Sequence, residues 1–138
     1  MAKKLAIVFG IVFVLVGILG MVGTGIVGPM GAFETNTLHD IVHLLVGVVL
    51  LAVAFMAAES SALWLKIMGV IYVVLAVLGF LTISSGGELL GLVHMNSADH
   101  ILHLVLGVVL FAAGQFGGKS SAPMAMPMST PPMGGGTM

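Results

Sequence analysis

The chain contains no cysteine and no arginine, and only 7% of its 138 residues are charged. The absence of cysteine excludes disulfides, thiolate metal sites and cysteine nucleophiles, so histidine is the most versatile ligand left. Four lysines and a net charge of −1 provide no basic surface that would neutralise a phosphate backbone. We therefore exclude nucleic acid as a partner.

The scarcity of charge also argues against a water-soluble domain. Soluble domains carry about 25% charged residues, whereas this chain is 59% hydrophobic with a mean hydropathy of +1.26. Four apolar segments have the length of about 20 residues that a helix needs to cross a bilayer. They cover residues 5–23, 38–57, 62–83 and 98–116. Because they lack the alternation of membrane β-strands, we predict an all-α polytopic membrane protein with four transmembrane helices, the first retained and not cleaved as a signal.

Two stretches that lie 60 residues apart resemble each other. They read NTLHDIVHLLVGVVL from Asn36 and NSADHILHLVLGVVL from Asn96. We interpret them as parts of an internal repeat, with repeat 1 at about 5–57 and repeat 2 at about 62–116. Since each copy holds two crossings, the prediction is two tandem helical hairpins with pseudo-two-fold symmetry about the membrane normal.

The chain divides into a transmembrane domain, residues 1–116, and a Gly-, Pro- and Met-rich tail, residues 117–138, which we predict to be disordered. Within the domain, residues 86–96 are expected to form a re-entrant or interfacial segment. All lysines fall on one predicted side of the membrane, and they are Lys3, Lys4, Lys66 and Lys119. By the positive-inside rule that side is cytoplasmic, and both termini lie there.

Each of the two similar stretches begins with residues that favour a helix start. The side-chain oxygens of Asn, Thr and Ser accept hydrogen bonds from the free amides of a first turn. A carboxylate in that turn is stabilised by the helix dipole, by about 0.3–1 kcal/mol. We therefore predict a group of helix-cap and interfacial polar residues. They are Asn36, Thr37, Asp40, Asn96, Ser97 and Asp99.

Two pairs of histidines follow these caps. His39 and His43 are four residues apart, and His100 and His103 are three apart, so each pair shares one face of its helix. His43 and His103 occupy equivalent positions, where two imidazoles from facing helices can ligate a haem iron or a transition metal. All four histidines are candidate metal ligands. The leading interpretation is instead that they hydrogen-bond between helices and hold the hairpins together.

At these paired motifs the sequence resembles a family of small bacterial membrane proteins known as domain of unknown function 4383. The family pattern has the form Asn-x-x-His-Asn-x-x-His before helix 2 and Asn-x-x-Asp-x-x-x-His before helix 4. Here Asp40 replaces the second asparagine of the first motif, and His100 stands where a small amide is expected. The resemblance covers roughly residues 5–116 and implies a four-helix protein of the bacterial inner membrane. It implies no activity, cofactor or substrate.

The leading functional expectation is a non-enzymatic structural or accessory subunit. Such a subunit would pack against a larger membrane complex, or against a copy of itself, through glycine faces. These faces are formed by Gly10, Gly17, Gly20, Gly23, Gly47, Gly69, Gly79 and Gly107. No nucleophile or phosphate-loop motif favours an enzyme. The alternative is a haem- or metal-binding membrane protein that uses the paired histidines, and the third is a small transporter or channel. The partner predicted in every case is the lipid bilayer.

Overall fold

The computed structural model describes residues 1–118, and the predicted tail beyond residue 118 lies outside the described residues. Four long helices make up most of this part of the chain: α1 (Ala2–Val22), α2 (Thr37–Met56), α3 (Ser61–Thr82) and α4 (Ser97–Gly117). Each is long and apolar enough to cross a membrane. The prediction of an all-α fold with four helices of membrane-spanning length is confirmed. The boundaries of the four helices differ from those of the predicted segments by at most a few residues.

Two small sheets connect the helices at one end of the bundle, which we call the loop end (residues 23–36 and 83–96). Strands β1 (Val27–Gly28) and β2 (Phe33–Glu34) pair in parallel between α1 and α2. Strands β3 (Gly87–Leu89) and β4 (Val93–Met95) form an antiparallel hairpin between α3 and α4. We had not predicted strands, because two or three residues carry too short a pattern to indicate one. The pairing satisfies backbone groups that no helix accommodates.

The opposite end of the bundle has a shorter connection. A single 3₁₀ turn, Ala58–Ser60, joins α2 to α3. Both described chain ends, at Met1 and Gly118, lie at this end. The loop end therefore holds both of the long connections, and the starts of α2 and α4 lie side by side within it.

Glycines bring consecutive helices into close contact. The helix α1 packs mainly against α2, and α3 packs mainly against α4. A Cβ atom on Gly47 would lie 2.7 Å from the carbonyl oxygen of Gly10, and one on Gly107 would lie 2.8 Å from that of Gly69. These distances are too short for any side chain, so the two backbones touch, as at small-residue helix contacts in membranes. The glycines of the predicted faces therefore lie inside the helix pairs, except Gly23, which is exposed at the end of α1.

A core of large side chains fills the centre of the bundle, with Phe13, Leu50, Tyr72 and Leu110 each almost fully buried. Outside this core, all four helices expose valine, leucine, isoleucine and phenylalanine along their length. An outer surface of this kind suits a lipid surrounding and would be unstable in water. The buried polar side chains, with the exception of Ser61, instead gather at or near the loop end.

We predict that Gly47→Val destabilises the fold. The new side chain would meet the backbone of α1 at less than contact distance, and overpacking of this kind typically costs about 1–3 kcal/mol. The matched control is Gly25→Ala, because a Cβ at Gly25 has no neighbour within 4 Å. The measurement is the free energy of unfolding from an SDS titration in mixed micelles. Equal stability of the two variants would contradict the close contact.

Candidate functional site

Asparagine side chains begin the two helices that carry the site. Asn36 Oδ1 accepts a hydrogen bond from the backbone N–H of His39 at 3.0 Å, and Asn96 Oδ1 accepts one from Asp99 N at 3.1 Å. The predicted caps Asn36 and Asn96 thus cap their helices. Thr37 and Ser97 are instead the first residues inside the helices, one position after the cap. The hydroxyl of Ser97 donates to the carbonyl oxygen of Ser84 at 2.8 Å.

The same two asparagines also bind the opposite loop. Asn36 Nδ2 donates to the carbonyl oxygen of Leu92 at 2.8 Å, and Asn96 Nδ2 donates to that of Ala32 at 3.0 Å. Each cap therefore uses its oxygen on its own helix and its amide nitrogen on the loop of the other helix pair. The two pairs are linked at the loop end by a matching set of bonds.

The two aspartates of the motifs have different roles. Asp99 Oδ2 accepts from the backbone N–H of Asn96 at 2.9 Å and from that of Glu34 at 3.0 Å, which completes a capping box and ties β2 to α4. Asp40 lies in the first turn of α2, as predicted, but packs against Gly20 of α1. Its Oδ1 atom is buried without a hydrogen-bond partner in the described part of the chain.

Three histidines meet between the two helix pairs, and we call His39, His43 and His103 the histidine cluster. One nitrogen from each ring lies within 4.8 Å of the other two. The ring centroids are 4.6 Å apart for His39 and His43, 5.6 Å for His39 and His103, and 6.0 Å for His43 and His103. Each residue exposes at most 6% of its surface. The structure thus brings together three of the four histidines that the sequence singled out.

Backbone carbonyl groups orient two of these rings. Nδ1–H of His39 donates to the carbonyl oxygen of His94 at 2.8 Å, and Nδ1–H of His103 donates to that of Asp99 at 2.6 Å. In both rings the hydrogen bond to Nδ1 leaves Nε2 as the lone-pair nitrogen of the neutral imidazole. His39 Nε2 and His43 Nδ1 are buried and have no hydrogen-bond partner among residues 1–118.

Aromatic rings enclose the histidine cluster. The ring of Phe13 lies 5.9 Å from that of His43, and the ring of Tyr72 lies 4.9 Å from that of His103 in a stacked arrangement. Phe13 and Tyr72 also contact each other, with ring centroids 5.2 Å apart. The sequence does not predict that these two aromatic residues contact the cluster, because nothing in their local pattern distinguishes them from other core positions.

His100 does not join the cluster. Its Nε2–H donates to the carbonyl oxygen of Ile83 at 3.1 Å, and its ring packs against Gly79 and Phe80 of α3. The alignment of the two motifs explains this position. A shift of 60 residues matches His100 with Asp40, which packs against Gly20 of α1 in the same manner. The sequence contains a signal for this difference, because His39 and His43 are four residues apart whereas His100 and His103 are only three apart.

Outside the cluster, a polar contact closes the loop end. His94 Nε2 and Glu34 Oε2 are 2.9 Å apart, and both side chains are about one-third exposed, at 34% and 39%. This contact joins β2 to β4. Together with the bond from His39 to the backbone of His94, it connects the buried cluster to the surface of the loops.

The family of the chain follows from comparison with protein-family models. A model described as domain of unknown function (DUF4383) matches residues 3–116. The chain belongs to this family. Comparison with curated proteins and with solved structures found no significant match. The description of the DUF4383 family names no activity, so a function has to be inferred from the geometry of the site.

We predict that Asp99→Ala lowers the free energy of unfolding by about 2–3 kcal/mol, because two backbone N–H groups lose a shared acceptor. The matched control is Ser97→Ala, which removes a hydrogen bond of an exposed hydroxyl and should change stability by less than about 0.5 kcal/mol. SDS titration followed by circular dichroism measures both. A similar loss in the two variants would show that Asp99 does not link the helix pairs.

Proposed function

We propose that this DUF4383 protein is a membrane protein that binds one transition-metal ion through His39, His43 and His103. The observation that carries the proposal is the convergence of three buried imidazole nitrogens within 4.8 Å of one another. In a zinc site each imidazole nitrogen lies 2.0–2.1 Å from the ion, so binding would draw the three nitrogens closer to one another.

The hydrogen bonds around the rings support this proposal. A metal-binding histidine usually donates its second N–H to a carbonyl or carboxylate group, which fixes the ring and its tautomer. His39 and His103 both have this arrangement, each with a backbone carbonyl. A buried polar atom without a partner requires an explanation, and an ion bound by the cluster would provide one for His39 Nε2.

The donor set narrows the class of ion. Imidazole favours Zn²⁺, Cu²⁺, Ni²⁺ and Fe²⁺, whereas Mg²⁺ and Ca²⁺ prefer oxygen ligands. Three protein ligands leave a further coordination position free on a four-coordinate ion. Haem fits less well. A porphyrin bound between the rings of His43 and His103 would extend into the position of the His39 ring, which lies 4.6 Å from the first and 5.6 Å from the second. We therefore favour a bare ion.

The proposed role is binding, and no acid, base or nucleophile is assigned to the site. An accessory subunit role and a transporter role remain predictions from the sequence. Most of the predicted glycines pack inside the helix pairs. If the protein is an accessory subunit, it would therefore contact its partner through other surfaces of the helices. We also infer that the pairs are two hairpins with pseudo-two-fold symmetry, which the matching asparagine bonds and glycine contacts support.

We further infer that the chain lies in the bacterial inner membrane with both termini in the cytoplasm. Lys3 and Lys4 begin α1, and Lys66 lies in the first two turns of α3, so these three lysines lie away from the loop end. The positive-inside rule then puts the loop end, with the histidine cluster beneath it, at the outer surface.

The metal proposal predicts one bound ion per chain in protein purified in mild detergent and loaded with Zn²⁺ or Cu²⁺. In His43→Ala and His103→Ala the affinity should fall by more than about 100-fold, because removing a direct ligand costs more than removing a supporting group. Elemental analysis after dialysis and competition with a chelator measure the ion content and the affinity.

The matched control for these variants is His100→Ala. It removes a buried histidine from the same turn of α4 as His103, but one that lies against α3 and outside the cluster. It should keep the bound ion. Equal loss of metal in all three variants, or a wild-type protein that binds no ion, would refute the proposal.

The orientation predicts which loops reach the outer surface. The chain has no cysteine, so single cysteines can be introduced at Met30 in the loop end and at Glu59 between α2 and α3, both exposed positions. A membrane-impermeant maleimide added to intact spheroplasts should label Met30→Cys and should label Glu59→Cys only after lysis. The reverse pattern would overturn the orientation.

A further inference from the structure

We propose that a second site, an apolar cavity between α1 and α4, binds a lipid-soluble, ring-sized molecule that carries a hydroxyl or carbonyl oxygen. This inference goes beyond metal binding: His43 and His103 also line this cavity, but the group that carries the inference is the hydroxyl of Thr35, which lies outside the histidine cluster. It rests on the shape of the cavity, on its opening toward the outer surface of the bundle, and on one buried hydroxyl group within it.

Two cavities flank the histidine cluster. The α1–α4 cavity has a volume of about 240 Å³, and the α2–α3 cavity has one of about 210 Å³. His43 and His103 line both, so the cluster separates them. The cavities exist because α1 contacts α4 only sparsely, and α2 contacts α3 equally sparsely, whereas the helices within each pair pack closely.

The α1–α4 cavity extends to the side of the bundle. Its lining includes Val12, Leu19 and Ile26, whose side chains are 42%, 43% and 65% exposed. In a membrane these exposed side chains face lipid, where apolar solutes concentrate. A molecule dissolved in the bilayer can therefore reach the cavity between α1 and α4 without crossing water.

One end of this cavity is polar. Thr35 lines it and is only 2% exposed, and its hydroxyl oxygen has no hydrogen-bond partner in the described chain. Leaving a buried hydroxyl unpaired is unfavourable, because it has lost its bonds to water without gaining others. A ligand oxygen at this end would pair with it. The side chains of Asp99 and His43 line the same cavity and offer further polar groups.

The α2–α3 cavity lacks this feature. Met95 precedes the cap Asn96 just as Thr35 precedes the cap Asn36. It lines the α2–α3 cavity and is 1% exposed. A thioether is at most a weak hydrogen-bond acceptor and never a donor. At this matched position only the α1–α4 cavity has a hydroxyl. The α2–α3 cavity is lined by the hydroxyl-bearing Tyr72 elsewhere, but among the buried hydroxyl groups that line the two cavities only that of Thr35 is without a partner in the described chain.

The volume limits the size of the ligand. An engineered cavity of about 150 Å³ accommodates benzene, so the α1–α4 cavity has room for one ring with a few small substituents. A longer chain would have to leave through the opening between α1 and α4. The chemistry therefore fits either a small free phenol or quinone or the ring of a quinone that carries a lipid tail.

The test uses the full chain in proteoliposomes, with tetramethyl-1,4-benzoquinone as the probe and 1,2,4,5-tetramethylbenzene as its oxygen-free counterpart. Equilibrium dialysis against protein-free vesicles measures binding in excess of partition into lipid. We expect saturable binding of the quinone and weaker binding of the hydrocarbon. A quinone with one isoprenyl unit distinguishes the two sources: tighter binding than the probe indicates a lipid-borne ring, and weaker binding a free small molecule.

Two substitutions at one position test the role of the hydroxyl. Thr35→Val keeps the shape of the side chain and should weaken quinone binding by up to about tenfold, the value of one hydrogen bond, without changing hydrocarbon binding. Thr35→Met copies the residue of the other cavity, removes the hydroxyl and adds bulk at that end of the cavity, and should weaken the binding of both probes. The matched control Met95→Leu should leave binding unchanged.

Equal affinities for the quinone and the hydrocarbon, unaffected by Thr35→Val, would show that the cavity accepts any apolar group, a lipid chain included, and would overturn the inference. Quinone binding that is unchanged in Thr35→Met would overturn it as well. Metal content is measured on the same samples. A wild-type chain that binds the ion but not the quinone would refute only the cavity proposal. A chain that binds the quinone but no ion would refute only the metal proposal.

Discussion

The need to satisfy the backbone groups at the starts of α2 and α4 organises the loop end of this protein. The first amides of a helix have no partner within the helix, and pairing them with a side chain stabilises its start. Asn36 and Asn96 meet this need within their own helices and at the same time bind the opposite loops. Asp99 extends the network to β2. Helix capping and the joining of the two helix pairs are therefore one set of interactions.

The histidine cluster depends on this network. The carbonyl groups that orient His39 and His103 belong to His94 and Asp99, one in the loop hairpin and one in the capping box. A ring fixed by a backbone carbonyl keeps its direction even where packing around it is loose, as it is beside the two cavities. The bonds that cap the helices thus also position the nitrogens that converge between the pairs.

The helices pack closely within each pair and loosely between the pairs because residues of different size form the two kinds of contact. Glycines allow the backbones of α1 and α2, and of α3 and α4, to touch, whereas the contact between the pairs is made by larger side chains such as Phe13 and Tyr72. The two rings meet at a tilt of 53°, and Phe13 lines one cavity while Tyr72 lines the other. His43 and His103 line both, so the histidine cluster borders both cavities.

The sequence alone determined that the described chain forms four helices of membrane-spanning length, because charge and hydropathy depend on composition and not on contacts. It also predicted the asparagine caps, since capping is local. Only the tertiary structure decided which histidines meet, because the face that a residue presents depends on which neighbour its helix packs against. Thus His39 and His103 converge, whereas His100 turns toward α3. The position of Thr35 in a cavity was equally inaccessible from the sequence, since the space arises from packing between residues far apart in the chain.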